Sequence, residues 1–208
     1  MTKFFFISGI GTDVGKTVVT GLLAKEYMTK HHKVITCKPV QTGSEFPPED
    51  IVSHRKAMGV ELFTEDIQRI TCPYVFKKPS SPHLAAAEEN EIISPHIIKE
   101  EIAKLNGHFD IVLVEGAGGL MVPLSQSYTT LDLICELNFP LVLVTHAAIG
   151  SISATLLNLE VCKRYNVNVE LLVYNTFIHT NDDITNDSEK YLKQTLKNYY
   201  PDCDWRTI

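Results

Sequence analysis

The stretch "FFFISGIGTDVGKT", Phe4 to Thr17, sets an unbroken apolar run against a glycine-rich turn that ends in Gly15-Lys16-Thr17. Phe4–Ser8 reads as a strand covered on both faces, and the apolar positions Val19, Leu22, Leu23 and Tyr27 give Lys16–Thr29 a helical pattern. A strand, a glycine-rich turn and a helix together make a phosphate cradle. The glycines let backbone N–H groups approach phosphate oxygens, and the helix start points its positive end at them. The usual spacing is Gly, four residues, then Gly-Lys-Ser/Thr. Here five residues separate Gly9 from Gly15, and three separate Gly11 from it. An ordinary strand-to-helix turn is the alternative.

The rest of the chain repeats the alternation. Val34–Lys38, Ile111–Glu115, Leu141–Thr145 and Glu170–Tyr174 read as further buried strands. Pro95–Leu105, Leu131–Leu137, Ser153–Arg164 and Ser188–Tyr199 read as amphipathic helices. This predicts an α/β fold: one domain over residues 1–208, with a mostly parallel central sheet flanked by helices, of P-loop NTPase type. Gln41–Asp50 and Lys77–His83, broken by prolines, read as mobile loops. Ligands in such sheets sit beyond the carboxyl ends of the strands. The chemically notable segments fall there: "KPVQTG" (Lys38–Gly43), "EGAGG" (Glu115–Gly119), "HAAIGS" (His146–Ser151) and Asn175.

Within these segments the residue types suggest roles. Lys16 is placed to meet terminal phosphates, and the Thr17 hydroxyl to ligate Mg²⁺. Glu115 stands where phosphate-loop enzymes put a carboxylate for that cation, although it could simply cap the following turn. Asp50 is the candidate third oxygen ligand, with Glu49 adjacent. Lys38 ends an apolar strand, where a charge needs a reason. It either snorkels to the surface or holds a second anion beside the γ-phosphate. Gly150 and Ser151 open a helix and suit either an anion or a plain cap. No histidine spacing suggests zinc; His83 and His146 are the two near the proposed loops.

Composition bounds the class. The 208 residues carry a formal charge of −6, which argues against a general nucleic-acid binder. No apolar run has the length of a membrane span, and "FFFI" is too short for a signal peptide. The five cysteines are scattered without metal-ligand spacing, as expected for reduced thiols in a cytoplasmic protein.

Taken together, "GTDVGKT" (Gly11–Thr17), "KPVQTG", "SPHLAA" (Ser81–Ala86), "EGAGGLMVPL" (Glu115–Leu124) and "YN" (Tyr174–Asn175) resemble the dethiobiotin synthetase family, in its order and over nearly the whole chain. That family's loop also has five residues between its outer glycine and Gly-Lys-Thr. The resemblance implies an ATP- and Mg²⁺-dependent ligase of biotin biosynthesis. It would join 7,8-diaminononanoate and CO₂ into a cyclic urea through a carbamate and a carbamic-phosphoric anhydride. It implies Lys38 and Lys16 as catalytic, and Gly11, Thr12, Asp13, Val14, Gly15, Lys16, Thr17, Glu115 and Asn175 as nucleotide-binding, with Asn175 reading the adenine edge. It further implies Thr12, Thr42, Gly118, Gly150, Ser151 and Tyr191 around the substrate, with Thr17, Asp50 and Glu115 on the metal. Tyr191 would serve the neighbouring subunit of a homodimer.

Asp13 stands where the family more often has Glu. The chain stops at "NYYPDCDWRTI" (Asn198–Ile208), short of a base-packing segment common in the family, which leads to an expectation of looser discrimination among nucleoside triphosphates. A partition-type switch ATPase of the same superfamily is the main rival. It typically carries an extra lysine near the loop start, where this chain has Ile10 and Gly11. An amidotransferase-type ligase would need a further glutaminase domain.

Overall fold

The computed structural model describes residues 1–208. Six parallel strands form the central sheet in the order β2-β5-β1-β6-β7-β8. They are β1 (Lys3–Gly9), β2 (Val34–Cys37), β5 (Ile111–Gly119), β6 (Leu141–Ala147), β7 (Val169–His179) and β8 (Asp204–Thr207). The short strands β3 (Val40–Thr42) and β4 (Tyr74–Phe76) pair separately, also in parallel.

The five expected strands are present, and their continuous apolar character has the expected cause. Along β5, Val112 and Val114 join one core cluster while Ile111 and Leu113 join the other; Leu141 and Leu143 oppose Val142 and Val144 along β6. Both faces are therefore dry, so no position could be polar without cost. On one face lie α1 (Lys16–Thr29) and α2 (Glu49–Met58), which add Val19, Leu23 and Met58. The other face is covered by α5 (Pro95–Ala103), α6 (Thr130–Leu137), α7 (Ser151–Arg164) and α8 (Asp182–Tyr199).

Three expectations need correction. Gln41–Asp50 is not all loop, because β3 extends to Thr42 and α2 starts at Glu49. The loop at Lys77–His83 ends early, since Pro82 opens α4 (Pro82–Glu88), with α3 (Thr64–Ile67) the remaining short helix. Finally, α8 begins six residues before Ser188, at Asp182, where the Asn181 side chain accepts the Ile184 N–H.

Candidate active site

β1 sits between β5 and β6, so the loop after it lies at the middle of the sheet's carboxyl edge. Gly15, at φ 93°, ends that loop and starts α1 with no side chain accepting its first-turn N–H groups. A Cβ there would lie 2.4 Å from Asn175 Nδ2 on a left-handed backbone, so the position favours glycine. α7 likewise starts on a left-handed glycine, Gly150, without a side-chain cap, whereas α5, α6 and α8 are capped by Ser94, Thr129 and Asn181. The two helix starts singled out for anions are thus left unsealed by side chains, as is that of α4.

A cavity of about 400 Å³ opens over the loop. The phosphate loop contributes Thr12, Asp13, Gly15, Lys16 and Thr17 to its wall. Opposite stand Lys38, Thr42, Asp50, Glu115 and Gly118, together with Gln41, which the sequence did not single out. The Gln41 side-chain oxygen is buried without a hydrogen-bond partner. Glu49, the alternative to Asp50, does not line the cavity.

Lys38 does not snorkel. It is 5% exposed, and its ammonium donates to Glu115 Oε1 at 2.8 Å and to the Gly116 carbonyl at 3.1 Å, with Asp50 Oδ2 also at 2.8 Å. Burial alone would lower its pKa, but Glu115 and Asp50 hold it above the ordinary lysine value. Glu115 is fully buried, yet Lys38 and His54 hold its carboxyl well below the usual range against that burial. Its Oε1 faces Thr17 Oγ1 at 3.0 Å; Thr17 Oγ1 lies 3.1 Å from Asp50 Oδ1.

Thr17, Asp50 and Glu115 thus converge three hard oxygens beside the phosphate loop, a donor set that could hold Mg²⁺. Lys16 donates to the Gly11 carbonyl at 2.8 Å. Burial, and then the Lys38 charge, push its pKa down to about 8.

The remaining residues fall elsewhere. Val14 is buried under the loop, and its carbonyl accepts from Asn175 Nδ2 at 3.1 Å. Asn175 Oδ1 accepts the Phe177 N–H, so its side chain braces the loop from below and does not line the cavity. Gly150 and Ser151 line a second depression with Asp183, Ile184 and Asp187. The Ser151 hydroxyl there is buried and unpartnered, while its N–H donates to the Ala148 carbonyl. Tyr191 is half-exposed on α8 and borders neither space. His146 accepts from the Ala148 N–H, and His83 Nδ1 is buried without a partner.

His54 was passed over in the sequence because no motif marks it. It lies fully buried against Glu115 Oε2 at 2.9 Å. A usable signal existed: Ile51, His54, Arg55 and Met58 follow helical spacing, and all are buried.

A parallel sheet with this loop, two buried lysines and a buried carboxylate defines a phosphate-loop protein that handles nucleoside triphosphates. Sequence comparison agrees. A family model described as "AAA domain" matches residues 3–197. The ATP-dependent dethiobiotin synthetase BioD 2 of Haemophilus ducreyi is 46% identical over 205 residues, covering 99% of this chain and 97% of that protein. Its namesake in Haemophilus influenzae is 50% identical over 177 residues, covering 85% and 93%. Among solved structures, a ParA family ATPase from Chlorobium tepidum aligns with a TM-score of 0.57 at 14% identity, over 100% of this chain and 85% of that one. That likeness concerns the fold alone. The chain belongs to the dethiobiotin synthetase family.

Proposed function

We propose that this protein, acting as a single unit over residues 1–208, carboxylates and cyclises 7,8-diaminononanoate to dethiobiotin with consumption of ATP. The observation that carries the reading is Lys38, a lysine buried between two carboxylates across the cavity from Lys16. A nucleotide switch has no evident use for a second buried cation facing its phosphates. A ligase that must gather two anions does.

One amine of the substrate attacks CO₂, loses a proton and becomes a carbamate. A carbamate oxygen attacks the γ-phosphorus and ADP leaves. The second amine then attacks the carbonyl carbon of the mixed anhydride, phosphate leaves, and the cyclic urea forms as that nitrogen gives up its proton. Lys16 exchanges the Gly11 carbonyl for the phosphate oxygens, and Lys38 exchanges one of its contacts for the carbamate, offsetting the repulsion between the two anions. Thr12, Thr42 and Gly118 border the reacting groups, and Gly11 to Gly15 supply backbone N–H groups to the phosphates. Thr17, Asp50 and Glu115 would hold Mg²⁺, which supplies charge neutralisation on the phosphates when bound.

In this reading the depression at Gly150 and Ser151 takes the substrate carboxylate. Tyr191 reaches it from the second subunit of a homodimer, and Asn175 would meet the adenine edge only by releasing its bonds to Val14 and Phe177. The proposed setting is cytoplasmic, without membrane or nucleic-acid partners; no helix is long and apolar enough to cross a membrane.

The test is phosphate release from Mg²⁺-ATP with and without 7,8-diaminononanoate and bicarbonate, with the product followed by mass. Release that needs both additions and yields the cyclic urea supports the ligase. Hydrolysis indifferent to the diamine would overturn it in favour of a switch.

A further inference from the structure

We propose that His54 is a positioning residue that clamps the outer oxygen of Glu115, so that the other oxygen is presented to the cavity. This rests on the reading of Glu115 as part of the site for the nucleotide's cation.

The clamp is the end of a buried chain. The Asp66 carboxylate accepts from Arg55 Nε at 2.8 Å and from Arg55 Nη2 at 2.7 Å. Arg55 Nη1 donates to Thr36 Oγ1 at 2.7 Å, which lies 2.9 Å from His54 Nδ1. His54 Nε2 then lies 2.9 Å from Glu115 Oε2. Every member is at most 3% exposed.

Donor chemistry sets the direction at the two ends. A guanidinium only donates, so Thr36 Oγ1 accepts from Arg55 and keeps a hydroxyl proton that can face His54 Nδ1. The Glu115 carboxylate only accepts, so the 2.9 Å contact places a proton on His54 Nε2, which donates to it. Thr20 Oγ1 also lies 2.8 Å from Glu115 Oε2, but its single proton is contested by the Lys16 carbonyl at 2.8 Å. His54 is thus the undivided donor to that oxygen.

A terminal carboxylate torsion is broad and roughly two-fold, so an unclamped Glu115 could turn either oxygen, or neither, toward Thr17 and Lys38. Outer partners of this kind orient metal-binding groups, and their loss typically costs about 10–100-fold in metal affinity. His54 lies four residues after Asp50 on α2, so one helix face supplies both a wall carboxylate and the clamp on Glu115.

The experiment compares the parent protein with His54→Leu, which removes the donor, and His54→Gln, which returns an N–H near the Nε2 position. ATP affinity is measured for each in excess Mg²⁺ and in EDTA, beside the melting temperature. In the parent, Mg²⁺ should tighten ATP binding. His54→Leu should lose roughly tenfold or more of that enhancement, with affinity in EDTA unchanged within about twofold because the phosphate loop is untouched. His54→Gln should recover most of it. In the parent, ¹⁵N NMR of labelled histidine should find a proton on His54 Nε2, a readout that survives even if His54→Leu does not fold.

Full Mg²⁺ enhancement in His54→Leu would overturn the positioning role alone, leaving the ligase reading intact. An equal loss with and without Mg²⁺, unrelieved in His54→Gln, would reduce His54 to a packing residue. An Nδ1–H form in the parent would reverse the chain and refute the assignment. A parent indifferent to Mg²⁺ would instead overturn the metal reading on which the role rests.

Discussion

ATP binding should take up a proton through Lys16. Burial, and then the neighbouring Lys38 charge, lower its pKa from the ordinary 10.5 to about 8. A phosphate oxygen placed against the ammonium favours the charged form and restores the higher value. At pH 9, one unit above the free protein's value, only about a tenth of the lysine is charged. Binding must then recruit the proton, and affinity should fall by roughly tenfold for each pH unit above about 8.

Calorimetry in two buffers of different ionisation enthalpy reads the uptake. We expect little near pH 6.5, about half a proton at pH 8 and close to one proton at pH 9. The ligand-free protein should show the converse linkage. Its folded lysine holds the proton less tightly than the unfolded chain, so this group's destabilising effect is full below about pH 8 and is relieved as pH rises toward 10.5. Uptake that stays flat between pH 7 and 9.5, or persists in Lys16→Met, would refute the argument.

Lys38→Ala should lower turnover by roughly 10²–10³-fold while nucleotide binding stays nearly intact; full activity would remove Lys38 from the chemistry. Gly15→Ala forces a side chain onto a left-handed backbone and into Asn175 Nδ2, at a cost of about 1–3 kcal/mol. Melting temperature and ATP affinity should both drop, and a change in neither would show that the loop tolerates a Cβ. Asp66→Asn leaves Arg55 as a buried, uncompensated charge and should cost about 3–5 kcal/mol in urea denaturation. Against burial, Arg55 and Thr71 hold the Asp66 carboxyl below its ordinary range. Its contribution is therefore full above the ordinary carboxylate range and is lost as pH falls below that range through the lowered folded value, and the variant should show a flatter acid limb.

Much of the site was legible because its parts are local. Gly11 to Thr17 forms one loop, and the strand pattern placed Lys38 and Glu115 at the same sheet edge. β8 was missed because Asp204–Thr207 is short, lies at the sheet edge and mixes polar with apolar residues, without the buried run that marked the other strands. α2 was missed too, its first residues Glu49 and Asp50 falling in the loop expected over Gln41–Asp50, because its start is masked by Pro47 and Pro48 and its exposed face is charged.

The sequence by itself determined the alternation of strands and helices, the phosphate loop and the family, since each is written in neighbouring residues or in motifs of fixed order. Only the tertiary structure decided which polar groups meet. Lys38 and Glu115 lie 77 positions apart, and His54 and Glu115 lie 61 apart. No periodicity links such positions. The parallel sheet brings Lys38 beside Glu115, and the packing of α2 over it brings Asp50 and His54 to the same carboxylate. In that dry interior, a charge is tolerated only where the fold supplies its partner.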